Sequence, residues 1–245
     1  MLFHSWRGTI GVIKPTYRPG SLEDFIRLLP EGIGVIPLYL GVKRGSTEEF
    51  RSAMDVIRQK VRELAEIGVD MIHPEGAPPF MIHGYDGEAQ IVADMEKEHG
   101  LPVYTSGMTQ VEALRALGVK KMLGVTYFDD SQNIKYAKYF EQAGFDVAAM
   151  NGIDVPFADI GRVSPNDIYA FIKQEFLKVP DVDGIYLLGT GWHVLDRIEM
   201  LEQDLGLPVV HPIPARIWAT QRRLMVREKR TGYGCLLEQL PEYNE

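Results

Sequence analysis

Short runs rich in Val, Ile and Leu recur along the whole chain, and a longer amphipathic segment usually separates one from the next. The runs are 8–14 (GTIGVIK), 33–40, 69–73, 102–105, 121–127, 145–150, 184–188 and 208–211. They alternate little between apolar and polar residues, which marks strands covered on both faces. The segments 47–66, 86–98, 108–117, 131–143, 165–178, 193–205 and 213–228 carry apolar residues at helical spacing. In 47–66, Phe50, Met54, Ile57, Val61 and Leu64 share one face. Thr47 is the expected N-cap there, Glu48 and Glu49 suit the first turn, and Gly68 follows the end. Alternation of this kind predicts parallel sheets built from right-handed βαβ units.

The pattern occurs twice. LPVYTSGMTQVEALRALG at 101–118 matches LPVVHPIPARIWATQRRL at 207–224: a strand end, then an amphipathic helix. Upstream of each lies an apolar strand ending in a Gly-containing loop, at 69–79 and 183–193, and further back 8–40 and 120–153 each supply two strands. The expectation is an α/β fold of two pseudo-symmetric Rossmann-like halves, each a four-stranded, mainly parallel sheet flanked by helices. Residues 1–118 with 213–245 are assigned to one lobe and 119–212 to the other. Strand carboxyl ends of such sheets share an edge where ligands bind, and two halves facing each other close a cleft.

Bulk properties exclude several function classes. The net charge of −8 argues against a nucleic-acid partner. A single cysteine, Cys235, rules out an internal disulfide framework and a cysteine-rich zinc site. No apolar stretch reaches transmembrane length. The opening residues lack the order of a signal peptide, so no membrane association is expected and the cytoplasm is the expected location.

GTIGVIKPT at 8–16, the segment 120–147 with Thr126, Asp130, Asn133 and QAGFDV, and GTGWHVLDRIEMLEQDLGLPVV at 189–210 carry a family likeness. Together they resemble the maleate isomerase and arylmalonate decarboxylase branch of the aspartate/glutamate racemase superfamily over nearly the whole chain. The resemblance implies a two-lobed enzyme acting on a small carboxylate substrate, without a cofactor and commonly as a homo-oligomer. It also implies two cysteines, one per half, in the racemases and maleate isomerases, and only the second-half one in arylmalonate decarboxylases. A thiol at such a position can exchange a proton with an acidified carbon or attack an alkene. Aligned on those loops, the two thiol positions here read Glu75 and Gly189. The family's Thr-Pro-Tyr motif reads Thr126-Tyr127-Phe128, and its Ser-Asn after the first-loop proline is replaced around Thr16, Tyr17 and Arg18.

The candidate catalytic residues are therefore Glu75, His193, His73 and Tyr127. Glu75 could act as acid or base if burial raised its pKa. His73, His83, His193 and His211 could approach one cleft and move protons near neutrality. The candidate substrate-binding residues are Thr16, Gly76, Ala77, Thr126, Phe128, Gly189, Thr190, Gly191, Trp192 and His211. Gly189-Thr190-Gly191, read as preceding a helix, would aim backbone amides at a carboxylate or developing oxyanion, and Gly76-Ala77 would do the same in the other half. Trp192, Phe80, Tyr127 and Phe128 could form an aromatic wall. Lys14 or Arg18 could anchor a second carboxylate, although a surface salt bridge is the simpler expectation for either. The histidines and Glu75 are metal-ligand types, but no helical H-x-x-x-H spacing accompanies them, so no metal is assigned.

Three functions remain open on the sequence. The first is a cysteine-independent decarboxylase, isomerase or lyase acting at carbon next to a carboxylate or carbonyl. The second is a Glu/His-based hydrolase or lyase, with or without a metal. The third is a non-catalytic protein that binds a small acid in the same cleft.

Overall fold

The computed structural model describes residues 4–43, 46–153 and 155–243. The first half runs β1 (Gly8–Lys14), α1 (Ser21–Leu28), β2 (Ile33–Tyr39), α2 (Thr47–Ile67), β3 (Met71–Pro74), α3 (Pro78–Met81), α4 (Gly84–His99) and α5 (Ser106–Ala116). The second runs β4 (Lys121–Thr126), α6 (Asp130–Gln142), β5 (Asp146–Gly152), α7 (Pro165–Lys178), β6 (Gly184–Leu187), α8 (Ile198–Leu205), β7 (Val209–Val210) and α9 (Pro212–Arg223), and α10 (Cys235–Gln239) closes the chain. The two sheets have orders β2-β1-β3 and β5-β4-β6-β7, and every pairing is parallel. The expected α/β architecture of two similar parallel sheets is thus the observed one.

The halves differ at one edge. The run at 102–105 contributes a single parallel bridge, Val103 to Ile72, where its counterpart forms β7. Two residues past the bridge the chain reaches Thr105, the α5 N-cap that accepts from the amide of Met108, just as the counterpart reaches His211, the α9 N-cap. With that bridge counted, both sheets follow one order, as a duplication requires.

Several boundaries moved for local reasons. Ser46, not Thr47, caps α2, its hydroxyl accepting from the Glu49 amide at 3.2 Å. The segment 21–28, outside the expected helices, forms α1: Leu22, Phe25 and Leu28 bury one face, and Glu23 reaches back to the Gly20 amide at 2.7 Å. The helix expected from 193 begins as a short 3-10 turn at Leu195 and becomes α8 only at Ile198. The helix expected to reach 228 ends at Arg223, where Met225 takes a positive φ.

Helices α5 and α9, the duplicated pair, pack against each other, and α9 also lies on α1 and under α10. One large apolar cluster therefore spans both halves, while a smaller one lies between α2, α4 and the first sheet. None of the described helices is long and apolar enough to cross a membrane.

Candidate active site

The strand carboxyl ends of both sheets border one cleft of about 670 Å³ of empty space, counted out to its mouth. Lys14, Thr16, Arg18, Gly76, Ala77, Ser106, Gln110, Tyr127, Phe128, Phe157, Gly189, Thr190 and Gly191 are among its lining residues. The sequence candidates Thr16, Gly76, Ala77, Tyr127, Phe128, Gly189, Thr190 and Gly191 are therefore gathered in one place.

Glu75 sits just behind this lining. Its side chain is 1% exposed and pairs with Arg216, itself 2% exposed, at 3.0 Å. Arg216 also donates to the Ser21 carbonyl at 3.3 Å and stacks its guanidinium over Phe25 at 3.9 Å. The other Glu75 oxygen accepts from the Thr190 hydroxyl at 2.8 Å, so the carboxylate reaches the cleft through Thr190. Burial opposes the charge, but Arg216 and then Lys14 overcome it and hold the Glu75 carboxyl down at about 2. The sequence expectation was a carboxyl raised by burial and able to act as an acid. The structure replaces that with a carboxylate fixed in its ionised form, which has no proton to give near neutrality.

The duplication explains where Arg216 comes from. In the 101–118 and 207–224 alignment Gln110 and Arg216 occupy the same position. Each crosses to the opposite half: Gln110 donates to the Leu187 carbonyl at 2.9 Å, and Arg216 donates to Glu75. Arg216 is not among the residues expected from the sequence. Its signal was a charged residue between Ala215 and Ile217 in an otherwise buried helix, since a buried charge requires a partner.

Gly189, which the family resemblance sets at a thiol position, leaves no room for a side chain. Its φ of 81° lies in the left-handed region, and a Cβ built on it would fall 1.9 Å from the Tyr127 hydroxyl. Tyr127 thus fills the space that a side chain at 189 would need. Burial pushes the Tyr127 phenol up to about 12, so it remains a hydrogen-bond donor. Gly189→Cys is expected to destabilise the protein, lowering the melting temperature by about 2–10 °C from backbone strain and the displaced ring. A melting curve equal to that of the unaltered protein would show that the loop accommodates a side chain after all.

The histidines are structural. His73 is fully buried, and its Nδ1 lies 2.7 Å from the Tyr104 carbonyl, which makes Nδ1 the protonated nitrogen. His211 caps α9, its Nδ1 accepting from the Ile213 amide at 3.3 Å. Burial first, then Arg216, lowers both imidazoles to about 3, so they stay neutral. Neither lines the cleft. His193 is exposed and lies against Gly20, outside the lining, and His83 is also exposed. The expected convergence of four histidines on the cleft does not occur, because two serve as internal hydrogen-bonding groups and two face solvent.

Other candidates are displaced by a shell. Thr126 donates to Asn133 Oδ1 at 2.6 Å and accepts from the Phe128 amide at 3.1 Å, which holds the loop rather than lining the cleft. Trp192 is 2% exposed and meets Tyr127 edge to face at 5.3 Å from behind. Phe80 is wholly buried. The aromatic wall is instead Phe50, Tyr127, Phe128 and Phe157. The glycine loop 189–191 is a turn, with α8 starting seven residues past Gly191, so no α-helix N-terminus stands behind its amides. In the first half the Gly76 amide is already bonded to the Ser106 hydroxyl at 3.1 Å.

Lys14 and Arg18 emerge as the cleft's cations. Lys14 is 3% exposed and donates hydrogen bonds to the carbonyls of Thr16 and Arg18. Burial lowers its pKa, against the pull of Glu75 and Glu23 and with the help of Arg216 and Arg18. Arg18 donates to the Phe157 carbonyl at 2.9 Å and covers that ring at 5.2 Å. Cys235 lies outside the cleft, donates to Glu202 at 3.2 Å, and has its thiol pushed up to about 12 by burial and that carboxylate. Among the described residues no group of three or more His, Cys, Asp or Glu is placed to hold a metal ion.

These groups set the pH dependence of stability. His73 and His211 are neutral in the fold at about 3 against an ordinary 6.5, so unfolding takes up protons as pH falls below 6.5. Glu75, at about 2 against 4.5, adds a loss below 4.5. Glu88, bonded to Tyr139, is raised by burial to about 7, so its contribution declines as pH rises from 4.5 to 7. Two imidazoles outweigh one carboxyl. Stability should peak near pH 6.5–7, fall by about 1 kcal/mol per pH unit down to 4.5, and fall faster below. Urea midpoints across pH 3–8 measure this, and a flat profile would contradict it.

The match to known proteins agrees with the geometry. A sequence model of the arylmalonate decarboxylase family matches residues 10–237. The arylmalonate decarboxylase of Bordetella bronchiseptica is 27% identical over 233 residues, spanning 94% of this chain and 97% of the relative. A crystal structure of arylmalonate decarboxylase superposes with a TM-score of 0.83 at 27% identity, over 94% of this chain and 99% of that one. The maleate isomerase Iso from Pseudomonas putida S16 shares the fold, with a TM-score of 0.87 at 20% identity over 95% of this chain and 99% of that one. By sequence over nearly its full length, this chain belongs to the arylmalonate decarboxylase family of enzymes.

Proposed function

We propose that the chain is a cysteine-independent enzyme that removes a carboxylate from a small malonate-type acid, or isomerises a related acid, at the carbon next to the retained carboxylate. The observation that carries this is the composition of the cleft: two cations, five hydroxyls and an aromatic wall, with no thiol among its described lining residues. Arg18 binds the retained carboxylate, with Thr16 as a further donor. The ring or alkyl group of the substrate lies against Phe50, Phe128 and Phe157. When the carbon–carbon bond breaks, charge builds on the retained carboxylate as an enediolate. Tyr127 is the preorganised donor for that charge, which is where an enzyme gains most. Glu75 does not exchange the proton. It holds Thr190, and together with Arg216 it ties α9 to the loop after β3.

Mass spectrometry of the purified protein with aryl- and alkylmalonates, maleate, hydantoins and ring-derived acids tests the reading. Loss of 44 mass units from a malonate is the expected result. Binding of these acids, seen as thermal stabilisation, without turnover of any would leave a non-catalytic binding protein instead.

A further inference from the structure

Sheet register singles out a pair of residues that the family comparison does not. Gly11 in β1 pairs with Ile72 in β3, and Gly124 in β4 pairs with Tyr186 in β6. Three residues beyond Gly11 stands Lys14, and three beyond Gly124 stands Tyr127. Three beyond Ile72 and Tyr186 stand Glu75 and Gly189. Lys14 and Tyr127 are therefore pseudo-symmetric equivalents, each one strand over from a loop position that carries no usable proton. Glu75 is sequestered by Arg216, and Gly189 has no side chain. Both Lys14 and Tyr127 line the cleft.

We propose that the proton-handling position has shifted from the loops after β3 and β6 to the ends of β1 and β4, and that Lys14 Nζ protonates the substrate carbon while Tyr127 holds the enediolate. The inference rests on the reading of the chain as an enzyme of small carboxylic acids. In the step, the bond to the departing carboxylate breaks and its electron pair stays on the substrate, releasing carbon dioxide. An N–H bond of Lys14 then breaks as the new C–H bond forms. The neutral amine regains its proton from water.

Elimination supports the assignment. Of the described side chains lining the cleft, those with an ionisable proton are Lys14, Arg18 and Tyr127. A guanidinium does not release its proton in proteins. Burial holds the Tyr127 phenol near 12, whereas it lowers Lys14 toward the working range of a general acid. The carbonyls of Thr16 and Arg18 fix the Lys14 ammonium in place and take up two of its three protons.

The test uses the full chain, Lys14→Met and Lys14→Arg, each checked by melting curve, with a malonate panel in D2O followed by NMR. The expected result is turnover by the unaltered protein with deuterium at the α-carbon. Both variants should lose kcat by about 10²–10⁴-fold, with a smaller change in KM for Lys14→Arg. The rate of the unaltered protein should fall as pH rises through the lowered Lys14 pKa, with Glu75, Glu23, Arg18 and Arg216 as the charges that set it. Lys14→Arg retaining kcat within about threefold would make Lys14 a binding cation and overturn the proposal. Absence of turnover in the unaltered protein defeats the functional reading itself, and is distinguished by appearing before any variant is compared. If Lys14→Met does not fold, Lys14→Arg and the pH profile decide.

Discussion

Replacing Arg216 by methionine should lower the unfolding free energy by about 3–5 kcal/mol, because it strands the Glu75 carboxylate in the interior with no counter-charge. Glu75→Gln alone should also destabilise, through the converse loss. The double variant Glu75→Gln/Arg216→Met should be more stable than the sum of the two predicts, since it removes both charges together. Chemical denaturation of the four proteins completes the cycle. A loss below about 1 kcal/mol for Arg216→Met would mean that Glu75 does not need its partner, and that the pairing across the halves is incidental. The cycle also separates structure from chemistry. If Glu75 serves by holding Thr190, then Glu75→Gln should keep part of the activity, because the amide oxygen still accepts from the Thr190 hydroxyl.

The second large effect falls on Tyr127. Tyr127→Phe should reduce kcat by about 10²–10³-fold with little change in KM, as expected when a donor to a developing oxyanion is removed. The fold should survive, because the ring still packs on Phe128 at 5.0 Å and Trp192 at 5.3 Å. With its phenol near 12, Tyr127 should place no basic limb on the pH–rate profile below that value. Steady-state kinetics of Tyr127→Phe on whichever acid proves to be the substrate gives the answer. Near-normal kcat would remove Tyr127 from the enediolate site.

The fold was legible because it depends on repeated, local signals. GTIGVIK and its relatives read as doubly covered strands, and the paired Leu-Pro-Val segments exposed the duplication. Where the expectation failed, local detail decided. The run at 102–105 makes one bridge, and its counterpart after Pro208 only a two-residue strand. Ser46 displaced Thr47 as cap. The short α1 went unread, although Leu22, Phe25 and Leu28 carried the spacing. The candidate site was legible only in outline. Loop positions such as Gly189 and Thr190 could be placed by alignment, since sequence order fixes which strand end they follow. The state of Glu75 could not, because it depends on Arg216, 141 positions away. The histidines misled for a related reason. A histidine near a strand end is equally suited to a cleft and to capping a helix, as His211 does, and only packing chooses. Lys14 was visible as a charge inside GTIGVIK, but its burial was not.

The central claim is catalysis on a small carboxylic acid without a thiol. The most direct measurement follows decarboxylation of a malonate panel by the protein and by Cys235→Ala, before and after treatment with an alkylating agent. The account predicts conversion of at least one malonate at the same rate in all four samples. Loss of that conversion on alkylation or in Cys235→Ala would contradict it, by restoring a cysteine to the mechanism.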